Sequence, residues 1–220
     1  MDFSVLTPYG DLIVEGVKVT LLTSFGSLFL AVVFGFLLVL GRISSVPIIQ
    51  APFRIVINII RGVPVLVQVY IFYFGLAQTN LLLPAWLCGV LALGLYGGGY
   101  MAEILRSGIN SVSGGQIEAS RSLGFTRRQT MRLIVWPQAI RISIPPAGGE
   151  FIRIMKATSL FAAIAVTELT YSGMIIRAET YASFEVYLPI AGIYLLITSV
   201  ILTCFYFIEK SMVRKGWAVQ

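Results

Sequence analysis

The sequence predicts an all-α integral membrane protein with about five transmembrane helices and a cytoplasmic two-helix segment. Of its 220 residues, 57% are hydrophobic and only 12% are charged, which is too apolar for an ordinary soluble domain. Several uncharged runs exceed the roughly 18 apolar residues that argue for a membrane-spanning helix. Between these runs lies one polar stretch, residues 113–137, which has helix-capping patterns of its own.

The first half of the chain predicts three spanning helices. No charge occurs between Lys18 and Arg42, and helix 1 is placed at residues 12–41. The next uncharged run is about twice as long as one span, and a polar break followed by a proline divides it into helices at 52–77 and 83–105. Acidic residues precede helix 1 where a cleavable signal peptide would be basic, so helix 1 is expected to remain in the protein.

Helix 3 is rich in glycine. Gly94 and Gly98 have the small-xxx-small spacing that lets another helix approach closely. Three successive glycines, at 97–99, are also expected to weaken the helix itself.

The second half of the chain predicts two more spans, at 150–171 and 186–208. The first of them meets Glu168 after a short apolar run, so a tilted or broken helix is expected. Residues 172–185 are predicted to form a loop or an interfacial segment. The whole chain, residues 1–220, is interpreted as one transmembrane domain.

Residues 113–137, called the two-helix segment below, predict two short helices joined by a glycine turn. Ser113 and Gln116 have capping-box spacing, in which a hydroxyl and a side chain three residues later cap each other's backbone amides. Gly124 lies where a residue in the left-handed conformation would end the first helix.

The second short helix has boundaries of its own. Thr126 and Gln129 repeat the capping-box spacing. Pro137 disfavours helical geometry at Trp136, so the helix is expected to end there. The segment also carries four arginines, Arg121, Arg127, Arg128 and Arg132.

The basic residues predict the orientation. With the N-terminus outside and the C-terminus in the cytoplasm, all 16 except Lys18 and Arg177 lie on the cytoplasmic side, Lys215 near the C-terminus included. The opposite orientation would violate the positive-inside tendency. The net charge of +6 is therefore interpreted as topological, and no nucleic-acid partner is predicted.

Catalytic signatures are absent from the sequence. There is no histidine, no HExxH or GxSxG pattern, and no GxxxxGK[ST] phosphate loop. Cys88 and Cys204 lack metal-ligand spacing, and both are expected to be buried thiols. The chain is predicted to be neither an enzyme nor a metal protein, and it cannot readily bind and split ATP on its own.

A carrier or channel that works without an ATPase is an alternative function. Carriers driven by ions or protons usually need ionisable groups at mid-membrane, and the candidates, Glu103, Glu168 and Arg61, are all expected near helix ends. No internal repeat of the kind common in such carriers is evident. The two-helix segment would then lie on the membrane surface as an amphipathic loop, whereas its apolar stripe and arginines equally suit docking onto a soluble partner.

The segment from Glu118 to Pro137 resembles the EAA motif of the membrane subunits of bacterial ABC importers. In that family, Glu-Ala-Ala is followed by a glycine and later by Ile-x-Leu-Pro. The matching residues are Glu118, Ala119, Gly124, Ile134 and Pro137, whereas Ser120 and Trp136 replace the second alanine and the leucine.

Four further stretches resemble the polar amino-acid uptake branch of these importers, the histidine and glutamine permeases. They are RGVPVLVQ at 61–68, AEILRSGI at 102–109, Pro-Gln-Ala at 137–139 and KATSL at 156–160, where Ala157 replaces the common Asp or Asn. The resemblance extends over about residues 12–210.

The resemblance implies a permease subunit of the bacterial cytoplasmic membrane, surrounded by lipid and paired with a second permease subunit, like or unlike. It also implies a pair of ATPase subunits, which bind ATP and Mg, and an extracytoplasmic solute-binding protein. That protein would deliver a polar amino acid or an amino-acid-derived compound. The chain itself is expected to bind no cofactor.

The resemblance further implies that the two-helix segment is the coupling helix seated on the ATPase. By position in the motif, the expected contact residues are Glu118, Ala119, Ser120, Arg121, Gly124, Arg127 and Arg128. Polar residues near the glycine-rich helix are candidates for the substrate path, namely Gln68, Tyr100 and Glu103. Two other roles stay open, since a membrane tyrosine more often packs or lies at the interface and Glu103 can pair with a cytoplasmic arginine.

Overall fold

The computed structural model describes the backbone of residues 2–214 and the side chains of residues 2–212. Lys215, which the orientation count included, lies outside the described residues. The described part contains no β-strand and is helical over most of its length. The predicted all-α class is confirmed.

Ten α-helices follow one another in the described residues. They are α1 (Gly10–Arg42), α2 (Pro47–Gly62), α3 (Val65–Tyr70), α4 (Leu76–Gln78), α5 (Ala85–Asn110), α6 (Gly114–Ser122), α7 (Arg127–Thr130), α8 (Trp136–Ala157), α9 (Leu169–Thr180) and α10 (Ser183–Arg214). Short 3-10 helices precede α1 (Phe3–Tyr9) and follow α8 (Thr158–Ile164). Single π-helical turns join α3 to α4 (Ile71–Gly75) and α7 to α8 (Met131–Val135).

Membrane spans are built in two ways. Among the described residues, three helices are long and apolar enough to cross a bilayer, namely α1 with its 3-10 extension, α5 and α10. Two bent pairs pass the same test together, which raises the number to five if each pair is one span. This agrees with the prediction of about five transmembrane helices.

The second predicted helix, 52–77, is wrong as a single helix. The chain turns by 101° between α2 and the helical run from α3 to α4. Val63, at the corner, has an extended backbone (φ −89°, ψ 131°), because a residue before a proline, here Pro64, is pushed out of the helical region.

The helix predicted at 150–171 begins much earlier, and Pro137 does not end the helix before it. The π-turn places the Trp136 N–H on the Met131 carbonyl, and the chain continues through Pro137 into α8. Such single π-turns are a known way for a helix to absorb an irregularity. The expected break occurs instead after Ile164, where Ala165 has a left-handed backbone (φ 57°) and the axis bends by 46°.

Residues 172–185 are helical over much of their length, so a loop is wrong, whereas the other expectation, an interfacial segment, stays a prediction. The buried carboxylate of Glu168 accepts hydrogen bonds of 2.8 Å from the backbone amides of Thr170 and Tyr171. This caps the N-terminus of α9 with an acceptor that the first turn of a helix favours. The helix ends at Tyr181, which is left-handed (φ 56°).

Helix α5 lies at the centre of the bundle, and its glycines face three neighbours. Consecutive helical residues point about 100° apart. A Cβ on Gly97, Gly98 or Gly99 would lie within 2.8 Å of a side chain of α8, α1 or α2 respectively. Gly94 also meets α1, at 2.5 Å. The predicted close approach at Gly94 and Gly98 is confirmed, and the glycines do not interrupt α5.

The two cysteines differ in their surroundings. Cys88 is buried in α5, as predicted, whereas Cys204 is exposed. The prediction for Cys204 is wrong because α10 turns one face away from the bundle, and an apolar run of residues does not distinguish such a face from a buried one.

Candidate functional site

The turn between α6 and α7 has the geometry that its glycine predicts. Gly124 has a φ of +83°. Its N–H donates to the Arg121 carbonyl at 2.9 Å, and the Phe125 N–H donates to the Ser120 carbonyl at 3.1 Å. These two bonds form a Schellman motif, which requires a residue that tolerates the left-handed conformation.

Only the second of the two predicted capping boxes forms. The Gln129 N–H donates to Thr126 Oγ1 at 3.3 Å, and Gln129 Oε1 accepts from the Thr126 N–H at 2.8 Å. Ser113 makes no side-chain cap. Its intended partner, Gln116, instead accepts a 2.5 Å hydrogen bond from Gln138 Nε2 on α8, so a tertiary contact replaces the local one.

Ser120 faces the inside of the two-helix segment. Its side chain is only 4% exposed. The hydroxyl donates to the Ile117 carbonyl at 2.7 Å and shares a 2.9 Å hydrogen bond with Thr130 Oγ1. The Ser120 side chain therefore joins α6 to α7, and the expected contact of Ser120 with a partner stays a prediction.

The other six residues expected at the partner surface are all exposed. They are Glu118, Ala119, Arg121, Gly124, Arg127 and Arg128. Leu123 beside them is also exposed, at 78%. The segment thus presents an outward surface with both charged and apolar side chains.

Two contacts attach this segment to the bundle. The Trp136 ring lies 5.4 Å from the Phe36 ring of α1 and packs against a buried cluster that includes Val39 and Ile57. The Arg127 guanidinium donates to Ser45 Oγ, in the loop after α1, at 2.7 Å. Movement of the segment would therefore act on the ends of α1 and α2.

The second helix of the segment is continuous with α8. The run from Arg127 to Ile164 behaves as one helical element before the 46° bend. At about 1.5 Å per residue, the distance along the axis from Arg127 to Arg153 is roughly 40 Å. The second helix of the segment and the middle of the bundle are thus parts of the same helical run.

A charged cluster lies where this helix passes α2 and α5, and we define it as Arg61, Tyr96, Tyr100, Glu150 and Arg153. Glu150 is only 5% exposed. Its Oε2 is paired with the Arg153 guanidinium, whereas its Oε1 is buried without a hydrogen-bond partner among the described residues. An unpartnered buried carboxylate oxygen is costly and indicates a group reserved for a ligand or water.

The two arginines of the charged cluster lie against its tyrosines. The Arg153 guanidinium carbon is 3.4 Å from the centre of the Tyr100 ring and 5.4 Å from that of Tyr96. Arg61 approaches the Tyr100 ring at 4.8 Å. These are cation–π distances, and Arg153 also pairs with Glu150 through Oε2, so that Oε1 is left without a hydrogen-bond partner among the described residues.

The three residues proposed for the substrate path have different positions. Tyr100 belongs to the charged cluster. Gln68 is buried and donates its side-chain amide to the carbonyls of Ile60, at 2.7 Å, and Val63, at 3.0 Å. Gln68 therefore holds the corner between α2 and α3.

Glu103 forms ion pairs one turn of α5 away from Tyr100. Its carboxylate lies 2.8 Å from Arg106 and 3.5 Å from Arg42. The alternative that Glu103 pairs with arginines, left open by the sequence, is the one that the structure supports.

Sequence reasoning missed Glu150 and Arg153. With helix 4 placed to begin at 150, both residues appeared to lie at its end. The helix begins at Trp136, so they lie well inside it. The available signal was two opposite charges three residues apart within an otherwise apolar run, since intramembrane ionisable groups are usually functional.

The charged cluster is complementary to a free amino acid. A zwitterion carries an ammonium, which suits the unpartnered carboxylate oxygen of Glu150, and a carboxylate, which suits the planar donor groups of Arg153 and Arg61. Burial strengthens each of these interactions relative to water.

Comparison with known proteins gives a consistent result. The family model of the binding-protein-dependent transport system inner membrane component matches residues 28–215. The probable glutamine ABC transporter permease protein GlnM of Bacillus subtilis (strain 168) is 35% identical, covering 96% of this chain and 98% of its own. The nopaline transport system permease protein NocM of Agrobacterium fabrum is 36% identical, covering 91% and 88%.

Among solved structures, one similar chain comes from the crystal structure of an amino acid ABC transporter with histidines. It is 36% identical, has a TM-score of 0.91, and the match covers 96% of this chain and 99% of that one.

Proposed function

We propose, on the premise that the chain belongs to the family of binding-protein-dependent transport system inner membrane components, that it moves a polar amino acid or an amino-acid derivative across the inner membrane. As an ABC permease, it is a multi-pass transport subunit. The family implies an ATPase, a binding protein and a second permease subunit as its partners. Binding of ATP and Mg then belongs to the ATPase pair, and delivery of the solute to an extracytoplasmic binding protein.

The substrate class is supported by two kinds of observation. Relatives similar over nearly their whole length are named for glutamine and nopaline. The charged cluster offers a free carboxylate oxygen and two guanidinium groups, which together complement the ends of a zwitterion. Glu150 would bind the ammonium, and Arg153 and Arg61 would orient the carboxylate.

The observation that carries the mechanism is the unbroken helix from Arg127 to Ile164. A rigid helix transmits a displacement along its length, and packed helices shift as bodies rather than bending continuously. Closure of an ATPase pair against α6 and α7 would therefore move Glu150 and Arg153 relative to Tyr96 and Tyr100. Such a movement would open the charged cluster to one side of the membrane and then to the other.

Within the two-helix segment, the residues have distinct proposed roles. Glu118, Ala119 and Gly124 would contact the ATPase, with Arg121, Arg127 and Arg128 at the edge of the contact. Gly124 would set the angle between α6 and α7, because its positive φ permits the tight turn. Ser120 would support this contact from inside, through its hydrogen bond with Thr130.

A photocrosslinking amino acid placed at Leu123 tests the ATPase contact. Leu123 is 78% exposed on the two-helix segment, and Leu82, in the turn before α5, is 80% exposed. In the assembled transporter we expect a crosslink to the ATPase from position 123 and none from position 82. Equal crosslinking from both positions, or none from 123, would contradict the assignment.

The proposed orientation has the N-terminus outside and the two-helix segment in the cytoplasm. Tyr9 donates a 2.8 Å hydrogen bond to Glu179, and Arg127 reaches Ser45, so these pairs mark two ends of the bundle. In a chain with Cys204 replaced by serine, an impermeant thiol reagent should label Ala178→Cys from the periplasm and leave Ser113→Cys unlabelled in intact cells. Labelling of Ser113→Cys from outside would reverse the orientation.

A carrier or channel without an ATPase remains the second candidate function. It predicts uptake that continues after ATP is removed from the vesicles. The family assignment favours the opposite result, uptake that stops without ATP and resumes when ATP is restored.

A further inference from the structure

A cavity lies between the two-helix segment and the ends of α1, α2 and α5. Its volume is about 780 Å³. Four arginines line it, namely Arg42, Arg106, Arg127 and Arg128, together with the hydroxyls of Ser44 and Ser45.

The charge in this cavity is poorly compensated. Arg42 and Arg106 share a single carboxylate, that of Glu103, and the Arg42 Nε that faces it at 3.5 Å makes no hydrogen bond among the described residues. None of the salt bridges found within residues 2–212 involves Arg127 or Arg128. Several guanidinium groups around one concave space favour a phosphate group, which accepts hydrogen bonds on every oxygen.

Much of the remaining wall of the cavity is apolar. Leu40, Ile49 and Trp136 line it. From Leu40, exposed apolar residues continue up one face of α1 at helical spacing, through Phe36, Val33 and Phe29. The site therefore joins a phosphate-binding end to an apolar surface long enough for an acyl chain.

We propose that this cavity binds the phosphate headgroup of an anionic phospholipid, whose acyl chain lies along the exposed face of α1. The proposal rests on the orientation given above, which puts the cavity at the cytoplasmic leaflet, where basic pockets between helices bind anionic headgroups. The lipid would bridge Arg127 and Arg128 to the ends of α1 and α5. It would thereby hold the two-helix segment in position for its partner.

To test the proposal, the assembled transporter, ATPase subunits included, is extracted from mixed phosphatidylcholine and phosphatidylglycerol vesicles. Native mass spectrometry then counts the phosphatidylglycerol molecules that the transporter retains. The double variant Arg127→Gln with Arg128→Gln should retain phosphatidylglycerol about fivefold less tightly for each arginine removed. Arg132→Gln is the matched control, because Arg132 is exposed on the same segment but does not line the cavity. The Arg132→Gln transporter should retain as much phosphatidylglycerol as the parent.

A second variant keeps all four arginines and fills the space. Asn110→Phe places a ring in the cavity that Asn110 lines, and phosphatidylglycerol retention should fall as it does in the double variant. Retention that is unchanged in both variants would overturn the site. Retention of inorganic phosphate by the transporter with no phosphatidylglycerol bound would identify a soluble phosphate ligand instead and would overturn the lipid.

Two further results separate this proposal from the proposed function. If phosphatidylglycerol binds to the permease alone and is absent from the assembled transporter, ATPase side chains fill the cavity and the lipid site is wrong. If position 123 crosslinks to the ATPase while phosphatidylglycerol retention is insensitive to Arg127 and Arg128, the coupling role stands and only the lipid site fails.

Discussion

The second helix of the two-helix segment lies on the same helical run as Glu150 and Arg153 of the charged cluster, but the two regions are built by opposite means. The segment is exposed and held by short-range bonds, such as those of Gly124 and Thr126. The charged cluster is buried and is assembled from α2, α5 and α8. Surface changes in the segment should therefore alter docking without unfolding the bundle, whereas changes in the cluster should alter binding of the solute without altering docking.

The largest expected effect is in the charged cluster. Glu150→Gln keeps the shape of the side chain and removes its charge, so the proposed ammonium contact is lost. A hydrogen bond to a charged group is worth about 1.5–3 kcal/mol, and ATP-driven uptake in proteoliposomes should fall about 10- to 100-fold. ATPase subunits should still co-purify in full. Uptake equal to that of the parent would show that Glu150 does not bind the solute.

The next largest effect is at Gly124, where a substitution can weaken ATPase binding either by straining the backbone or by placing a side chain against the ATPase. A Cβ on Gly124 meets nothing within 4 Å in this chain, but its φ is +83°. Gly124→Val forces a β-branched residue into the left-handed region at a cost of about 1–2 kcal/mol, and ATPase binding should weaken about 5- to 30-fold.

Gly124→Asn is the matched variant, because asparagine tolerates this backbone. Its loss of ATPase binding should be clearly smaller if strain is the cause. If Val and Asn weaken binding equally, the ATPase excludes any side chain at this position.

Substitution of Gln68 tests whether this residue stabilises the corner after α2 or contacts the solute. Gln68→Leu removes both hydrogen bonds to the corner after α2, and at about 0.5–1.5 kcal/mol each it should lower the melting temperature of the purified transporter. The KM for the solute should stay unchanged. Gln78 is exposed, so Gln78→Leu is the control, and it should change neither the melting temperature nor the KM. A raised KM for Gln68→Leu would return Gln68 to the substrate path.

A smaller effect concerns the cap of α7. Thr126→Ala removes an N-cap worth about 1 kcal/mol, whereas Thr126→Ser keeps it. Hydrogen exchange should quicken about fivefold at the amides of 127–130 in the alanine variant, and the rest of the chain should be unaffected. Faster exchange throughout α8 would mean that the segment and the bundle are not separable in stability.

The smallest effect is inside the segment. Ser120→Ala leaves the buried Thr130 hydroxyl without its partner and should destabilise the segment by about 1 kcal/mol. Adding Thr130→Val removes the second hydroxyl and should recover most of that loss in the same hydrogen-exchange measurement. A double variant no better than Ser120→Ala would show that the Ser120–Thr130 bond is not what joins α6 to α7.

The same contrast explains what the sequence predicts and what it does not. Gly124 and the Thr126–Gln129 box are visible in the sequence because their partners lie within a few residues. The Ser113 box fails because Gln138, 22 residues from Gln116, competes for the same side chain. The continuation of the helix through Pro137 also depends on the bundle, since proline favours a helix end by itself.

The charged cluster is invisible to local patterns for the same reason. Arg61 and Arg153 meet around Tyr100 because α2 and α8 both pack on α5. These residues are far apart in the sequence, so no local pattern predicts that they meet. Gln68 shows a role that local patterns do not reveal. Its side-chain N–H groups donate to carbonyls at the 101° corner, whereas its Oε1 is buried without a partner among the described residues, so its place in the substrate path stays a prediction.

The measurement that tests the account most directly compares Glu118→Lys with Glu150→Gln in one experiment. ATPase subunits bound per permease and ATP-driven uptake are determined on the same preparations. Glu118 is exposed, so its reversal should spare the fold, remove the ATPase subunits and abolish uptake. Glu150→Gln should keep the ATPase subunits and lose uptake. If Glu118→Lys retains its ATPase subunits and transports normally, the two-helix segment is not the coupling element.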